Sequence, residues 1–329
     1  MRKKNIIWSV LIILVLATAI FYLLVPPMAK KITYGVVFSQ KHSTDMGLDW
    51  KQNYSALLDD LKVKNIKLAV HWDLIETGPG VYDFSDIDWQ LEEAKIHNAK
   101  IMLAIGMKTP RWPECHIPGW AKGLNKEAQQ AEILGMLETV VKRYRGNSEV
   151  ASWHVENEPL FRFGECPWID EEFLKKEVAL VRSLDLQKRP VVISDSGEGS
   201  WWFKVAKTAD IVGVTMYRRV YFDEFKIYVT YPIPPAFYWV KTKLVEMFFG
   251  KSVICVELQA EPWAANQLYD AGAGDAKTMT LDQFRQNVKF AKNTGIGTIY
   301  LWGNEWWFWM KEKHNEPQFW EEAKKIWNQ

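Results

Sequence analysis

The sequence predicts an α/β protein with a closed (β/α)8 TIM barrel, preceded by one N-terminal transmembrane helix. Three observations lead to this prediction. Eight short apolar runs rich in β-branched residues recur along the chain, segments of helical period lie between them, and a long uncharged stretch occupies the N-terminus. Strands that alternate with helices form parallel βαβ units, and eight units in about 300 residues match a closed barrel.

The N-terminal stretch, residues 6–25, contains no charged side chain. A helix of this length spans the roughly 30 Å hydrocarbon core of a bilayer. Basic residues at 2–4 precede it, so the positive-inside rule assigns residues 1–5 to the cytoplasm as a short tail. Residues 26–31 then form a linker, and residues 32–329 form the barrel domain on the extracytoplasmic side of the cell membrane.

A cleaved signal peptide is the alternative interpretation of this stretch. Ala17-Thr18-Ala19 resembles a small-residue cleavage site, but the apolar run continues past it to Val25. The continuation favours an uncleaved, single-pass signal anchor. Either interpretation places residues 32–329 outside the cytoplasm, where disulfides persist.

The predicted strands and helices alternate through the rest of the chain. The apolar runs that predict strands cover residues 32–39, 66–72, 101–106, 150–155, 191–194, 211–215, 253–256 and 298–302. The segments that predict helices include residues 87–97, 127–143, 171–184, 239–249, 281–293 and 318–327. An open doubly wound sheet is the alternative fold, but no glycine-rich phosphate loop follows any of the runs.

Composition and charge exclude several function classes. Outside the first 31 residues the chain carries 36 basic and 40 acidic residues, so it lacks the positive charge of a nucleic-acid-binding protein. Its six histidines form no His-x-His or His-Glu-x-x-His pair, which disfavours a zinc hydrolase. We therefore expect no metal and no organic cofactor. The 18 tryptophans provide flat apolar surfaces that suit either core packing or sugar rings.

Chemistry in a barrel belongs at the C-terminal ends of the strands, and carboxylates are concentrated there. Glu158 follows the fourth apolar run and Glu257 follows the seventh, on opposite sides of the predicted ring. Hydrolysis of a glycosidic bond requires two such carboxyl groups, one to protonate the leaving oxygen and one as a nucleophile or base. This placement indicates a glycosidase.

The residues around both glutamates resemble those of the clan A retaining glycoside hydrolases, in their cellulase-like and β-galactosidase-like members. Trp-His-Val-Glu-Asn-Glu-Pro at residues 153–159 is similar to the fourth-strand signature of the clan, and Val-Ile-Cys-Val-Glu at residues 253–257 is similar to the seventh strand. The resemblance implies that Glu158 is the acid/base and Glu257 the nucleophile. It also implies that Asn157 binds the sugar 2-hydroxyl.

The same resemblance extends to the sixth and eighth strands. It implies that Tyr217 hydrogen-bonds the nucleophile and that Trp302 forms the floor of the sugar site. One departure concerns the second strand, where many members have an arginine and this chain has Lys67. Lysine cannot reproduce a bidentate arginine contact, so we expect a different orientation of the nucleophile.

Both glutamates have alternative interpretations. The tripeptide Asn-Glu-Pro occurs again at residues 315–317, where it indicates a turn before the last helix, so the tripeptide alone is a weak signal. Glu158 and Glu257 could also be solvated or belong to a buried salt bridge. The rival carboxylates for the role of Glu257 are Asp195, Glu198, Glu261 and Glu305.

Further residues at the strand ends are candidates for substrate contact. His71 could bind a sugar hydroxyl or be a hydrogen-bonded barrel histidine, and Glu305 could bind substrate or form a salt bridge. Trp112 and Trp263 are the tryptophans that we expect to line the cleft. Cys115 and Cys166 follow adjacent strands, so they form either a disulfide or two free buried thiols.

The sequence thus predicts a membrane-anchored retaining glycosidase that cleaves β-linked glycosides in an oligo- or polysaccharide by double displacement. A non-catalytic carbohydrate-binding protein on the same barrel is one alternative. A second alternative is an envelope transglycosylase that uses the same residues and differs in its acceptor. The sugar, the linkage and the choice between exo and endo cleavage stay open.

Overall fold

The computed structural model describes residues 8, 19, 21–222, 225–263 and 276–327 of the 329-residue chain. Eight parallel strands close into a barrel in which each strand pairs with its sequence neighbours and β1 pairs with β8. In chain order, β1 to β8 are Thr33–Phe38, Asn65–Ala69, Lys100–Ile105, Val150–Val155, Val191–Asp195, Ile211–Met216, Ser252–Gln259 and Thr298–Trp302. All eight coincide with the predicted apolar runs, so the predicted barrel is confirmed.

Helices surround the barrel and connect its strands. Those in the described residues, α1 to α11, are Gln40–Asp45, Trp50–Asp59, Trp72–Ile75, Ser85–Ile96, Lys126–Tyr144, Glu171–Leu184, Phe203–Ala206, Pro235–Phe249, Leu281–Lys292, Asn304–His314 and Gln318–Trp327. Two antiparallel hairpins complete the fold, and they pair residues 76–78 with 81–82 and residues 219–222 with 227–230.

The strands are apolar on both faces because both faces are buried. One set of side chains, which includes Val37, Met102 and Val192, packs inside the barrel. The alternate set, which includes Val36 and Leu103, packs against the helices. Parallel strands covered on both sides are expected to read as continuous β-branched runs, which is why the sequence pattern locates them.

Side-chain caps fix where several helices begin. The Asn125 side chain accepts a hydrogen bond from the amide of Ala128 at the start of α5, and Asp170 caps α6 in the same way. These caps satisfy amide groups that have no partner inside the helix. The second Asn-Glu-Pro, residues 315–317, is exposed between α10 and α11 and forms the predicted turn.

Most of the predicted anchor, residues 6–25, lies outside the described residues. In the part of the chain that the structure describes, no helix is both long enough and apolar enough to cross a bilayer. Residues 24–29, which include most of the predicted linker, have neither helical nor strand structure.

Candidate active site

Glu158 lies just beyond the end of β4, in a buried position above the barrel mouth. Its amide donates a hydrogen bond to Ser194 Oγ at 2.8 Å, and its carboxyl Oε1 accepts one from Thr215 Oγ1 at 3.0 Å. Ser194 belongs to β5 and Thr215 to β6, so two neighbouring strands hold the glutamate at its backbone and at its side chain.

The surroundings of Glu158 favour a protonated carboxyl group. Burial raises its pKa most, and the nearby carboxylates of Glu257 and Glu114 raise it further. The ammonium of Lys108 and the hydrogen bond from Thr215 act in the opposite direction but do not cancel these effects. A carboxyl group with a raised pKa retains its proton near neutral pH and can donate it.

Glu257 is directed into the barrel by an irregularity in β7. Val256 packs in the barrel interior, so strict alternation would turn the next residue outward. The pairing register of β7 with β6 shifts between Cys255 and Glu257, which is a β-bulge. A bulge re-aims side chains, and here Glu257 is left almost fully buried and facing the interior residue Lys67.

Two groups hold the Glu257 carboxylate from two sides. Lys67 Nζ on β2 donates to Oε1 at 2.8 Å, and Tyr217 OH, which follows β6, donates to Oε2 at 2.8 Å. Lys67 therefore supplies both a hydrogen bond and the opposite charge. It also donates to Asn157 Oδ1 at 2.9 Å, so a single ammonium connects the loop after β4 with the end of β7.

One residue of β6, Thr215, is a neighbour of both glutamates. The Cα atom of Thr215 is the register partner of Glu257, while its hydroxyl donates to Glu158. Thr215 thus lies beside Glu257 through strand pairing and contacts Glu158 through its hydroxyl group. The charge of Glu257 also raises the pKa of Glu158.

Asn157 is held rigidly by partners on each side of its amide. Its Oδ1 accepts from Lys67 and from Ser194 Oγ, and its Nδ2 donates to Glu114 Oε2 at 3.3 Å. Burial raises the pKa of Glu114 to about 7, and the charge of Glu257 adds to the effect. Glu114 is thus a third carboxyl group at the site. Because Glu114 lies in a loop, the sequence contains no periodic pattern that indicates it.

A row of aromatic side chains extends from the carboxyl groups toward the surface. The Tyr217 ring lies 5.0 Å from that of Trp263 and 6.3 Å from that of Trp302. Phe163 continues the row, with its centroid 5.6 Å from Trp263 and 6.1 Å from Trp112. Trp112 is 47% exposed at the outer end, whereas Trp302 is buried. Such a row offers apolar faces on which sugar rings can stack.

His71 and Glu305 make contacts within the protein. The ring of His71 hydrogen-bonds Ser39 Oγ through Nε2 at 2.9 Å and Thr109 Oγ1 through Nδ1 at 3.0 Å. Glu305 accepts from the amide of Ser39 at 2.7 Å and pairs with Arg111. These are the hydrogen-bonded histidine and the salt bridge that the sequence left open as alternatives to substrate contact.

The rival carboxylates are engaged elsewhere. Glu261 pairs with Arg111, Glu198 accepts from the amide of Tyr217, and Asp195 accepts from the amide of Ser196. Glu156 accepts hydrogen bonds from the backbone amides of residues 107 and 108.

Cys115 and Cys166 form a disulfide, which ties the loop after β3 to the loop after β4. Cys255 is a buried free thiol within β7. Across residues 21–222, 225–263 and 276–327, no cluster of three or more histidine, cysteine or acidic side chains is arranged to hold a metal ion.

Comparison with known proteins supports the fold more strongly than it supports any single activity. No protein-family model matches the chain. A 109-residue stretch, 33% of this chain, is 30% identical to mannan endo-1,4-beta-mannosidase A of Emericella nidulans. The stretch covers 28% of that protein, so the similarity spans less than a third of its length.

Solved structures align over most of the barrel. Native xylanase 10B of Thermotoga maritima matches with a TM-score of 0.59 and 14% identity over 91% of this chain and 96% of its own. An exo-beta-1,4-mannosidase of Opitutaceae bacterium strain TAV5 matches with a TM-score of 0.58 and 13% identity over 83% of this chain and 52% of its own. The resemblance to the clan A glycoside hydrolases that the sequence indicates is confirmed at the level of the fold.

Proposed function

We propose that this protein is a retaining glycoside hydrolase that cleaves β-linked glycosides with Glu158 as acid/base and Glu257 as nucleophile. The observation that carries the proposal concerns Thr215, which is the register partner of Glu257 on the neighbouring strand. Its hydroxyl group donates a hydrogen bond to the carboxyl group of Glu158. Retaining enzymes need their two carboxyl groups close together, whereas inverting enzymes leave room for a water molecule between them.

In the first step a Glu257 oxygen attacks the anomeric carbon as the bond to the leaving oxygen breaks. Glu158 transfers its proton to that oxygen, so the aglycone departs as a neutral alcohol and the sugar remains as an ester of Glu257. Lys67 and Tyr217 hold the attacking carboxylate in place through their hydrogen bonds. A fixed nucleophile lowers the entropic part of the barrier.

In the second step water attacks the anomeric carbon and the ester bond to Glu257 breaks. Glu158, now a carboxylate, takes the proton from that water, and both glutamates return to their starting states. Two displacements at one carbon preserve the anomeric configuration. Nuclear magnetic resonance of the first-formed product distinguishes retention from inversion.

The substrate that we propose is an oligo- or polysaccharide of neutral, β-linked sugars. The mannanase that shares the 109-residue stretch is named for a β-1,4-linked mannan, and the aligned structures are a xylanase and a mannosidase. The aromatic row from Trp302 to Trp112 supplies stacking surfaces for more than one ring.

We also propose that residues 6–25 anchor the protein in the cell membrane, with residues 1–5 cytoplasmic and the barrel domain, residues 32–329, outside. The uncharged stretch and the basic residues before it support this topology. The disulfide between Cys115 and Cys166 is consistent with an extracytoplasmic domain. Retention of the full-length protein in carbonate-washed membranes tests it.

Substitution of the two glutamates tests the catalytic proposal. We expect Glu158→Ala and Glu257→Ala each to lower kcat on unactivated β-glycosides by at least about 1,000-fold, because each residue is used in both steps. External azide should restore turnover of activated aryl glycosides by Glu158→Ala, since such leaving groups need no proton and azide replaces the water that Glu158 activates.

Glu316→Ala is the matched control, because it alters the exposed second Asn-Glu-Pro and should leave kcat unchanged. Full activity of Glu257→Ala would exclude that residue as the nucleophile. Sugar binding without turnover by the unaltered protein would favour the carbohydrate-binding alternative. Products lengthened by an added sugar would favour a transglycosylase.

A further inference from the structure

We propose that a buried ion-pair bridge across the barrel mouth closes the glycone side of the cleft, so that the enzyme releases single terminal sugars. The bridge consists of Arg111, Glu261 and Glu305, and we call it the Arg111 bridge. The proposal rests on the proposed hydrolase function and deepens it, because it selects exo cleavage and assigns Arg111 and Glu261 to the terminal sugar.

The Arg111 bridge spans the mouth from one side of the ring to the other. Arg111 follows β3, Glu261 follows β7, and Glu305 lies in the first turn of α10 after β8. Strands β3 and β7 are diametrically opposite in an eight-stranded ring. The guanidinium donates to both carboxylates, and all three side chains are at most 7% exposed.

The proposed catalytic roles define which side of the cleft the bridge closes. Glu158 protonates the leaving oxygen, so the aglycone lies on the β4 side. The ring attached to Glu257 must then extend away from β4, over Trp302 at the end of β8. The glycone therefore points toward the Arg111 bridge.

The bridge lies directly against the tryptophan that would carry that ring. The guanidinium carbon of Arg111 is 3.8 Å from the centroid of Trp302, and Trp302 Nε1 donates to Glu261 Oε1 at 2.7 Å. One face of the indole is thus covered by the guanidinium, while Tyr217 packs edge-on 6.3 Å away. We infer that a single ring that reaches Glu257 beside Tyr217 meets the bridge next, and that the bridge therefore excludes a second glycone ring in line.

Two polar atoms of the bridge have their hydrogen-bonding capacity unused within the described residues. Arg111 Nε and Glu261 Oε2 are buried and have no hydrogen-bond partner among the described residues. A buried donor or acceptor without a partner is costly, by roughly 1–3 kcal/mol. One atom donates and the other accepts, and the hydroxyl groups at the closed end of a terminal sugar can satisfy both.

The charge of the bridge selects the class of terminal sugar. One guanidinium faces two carboxyl groups, so the cluster has no unpaired positive charge that could balance an anionic ligand. An anionic uronic acid would be repelled in this buried position, whereas a neutral sugar would not. The proposed ligand is therefore a neutral, non-reducing terminal sugar.

The size of the first product tests the proposal without any substitution. The full-length protein is incubated with 4-nitrophenyl β-glycosides of neutral monosaccharides and of their β-1,4-linked disaccharides. We expect the disaccharide substrates to lose one terminal sugar and to leave the 4-nitrophenyl monoglycoside. Release of the intact disaccharide should be at least about tenfold slower, and equal rates would overturn the proposal.

Substitution of Arg111 tests the assignment to particular residues. We expect Arg111→Gln to raise KM for the aryl monoglycoside about 10- to 100-fold, as for a lost hydrogen bond to a charged group, and to increase the share of intact disaccharide released. Arg189→Gln is the matched control, because it removes a buried arginine that pairs with Asp185 and stacks on Trp153 far from the cleft. The control should leave the product ratio unchanged.

Other outcomes separate the two proposals. If Arg111→Gln does not fold, Arg111→Lys retains the positive charge but lacks Nε, and it should still raise KM for the monoglycoside. An unchanged KM and product ratio in a folded Arg111 variant would overturn the role of the bridge while leaving the hydrolase proposal intact. Absence of turnover of every aryl β-glycoside by the unaltered protein would overturn both.

Discussion

Two buried arginines lie at opposite ends of the barrel, and their hydrogen bonds differ. Arg189, just before β5, donates to Asp185 and to the backbone carbonyls of residues 145, 147 and 150, so each guanidinium nitrogen has a partner. Arg111, at the C-terminal end, uses its two terminal nitrogens on carboxylates, and its Nε lacks a partner within the described part of the chain.

The comparison separates two uses of a buried charge. At the N-terminal end the guanidinium nitrogens of Arg189 are satisfied by the fold itself, which indicates a structural role. At the C-terminal end the charges are paired but the hydrogen bonding is incomplete, as expected where a ligand completes it.

The largest effect on stability should come from Arg189, whose guanidinium nitrogens all have partners within the protein. Arg189→Gln leaves Asp185 buried without its counter-charge, so we expect it to lower the free energy of unfolding by about 3–5 kcal/mol. Denaturant titration measures this loss. Below the unfolding transition kcat/KM should stay within about twofold of the unaltered protein, and a larger fall would contradict a purely structural role.

An intermediate effect should come from Lys67, a buried cation that pairs with Glu257 and also hydrogen-bonds Asn157. Lys67→Met removes a donor from both Glu257 and Asn157, and we expect kcat to fall about 10- to 100-fold. Lys67→Arg retains the positive charge, so its kcat should fall less. Steady-state kinetics on an aryl glycoside measures both variants, and a Lys67→Met protein with unaltered kcat would show that Tyr217 alone positions the nucleophile.

The smallest effects should be shifts of the pH profile. Glu158 must be protonated to act as an acid, so activity should fall as the pH rises through its raised pKa. The hydrogen bond from Thr215 lowers the pKa of Glu158. Thr215→Val removes this bond, so it should move the alkaline limb of kcat/KM to higher pH. The charge of Glu114 raises the pKa of Glu158. Glu114→Gln removes this charge, so it should move the alkaline limb to lower pH.

The opposite directions of these two shifts are the decisive feature. A general loss of structure would flatten the profile of both variants or move both limbs the same way. Parallel shifts would therefore contradict the assignment of the alkaline limb to Glu158.

The sequence was sufficient to predict the barrel because its strands are buried on both faces. Each strand therefore appears as an apolar run, and the count of eight runs favours a closed barrel over an open doubly wound sheet. The contacts of Glu158 and Glu257 were harder to predict. Alternation directs Glu257 away from the barrel interior, and only the register shift in β7 brings it to Lys67.

The residues that sequence reasoning missed are those whose partners are distant in the chain. Arg111 lies 150 and 194 residues from the two glutamates that it binds, and no local pattern connects them. Glu114 lies in a loop without periodicity. Motifs report local conformation, whereas such contacts depend on how loops from different strands converge at one end of a barrel.

The disulfide also constrains how the protein should be produced. Cys166 lies in the same loop as Glu158, and Cys115 lies in the same loop as Arg111, so one covalent bond joins the segment of the proposed proton donor to the segment that we propose contacts the terminal sugar. Expression in an oxidising host preserves that linkage. Reducing agents in a purification buffer would release one loop from the other, so kinetic measurements belong in their absence.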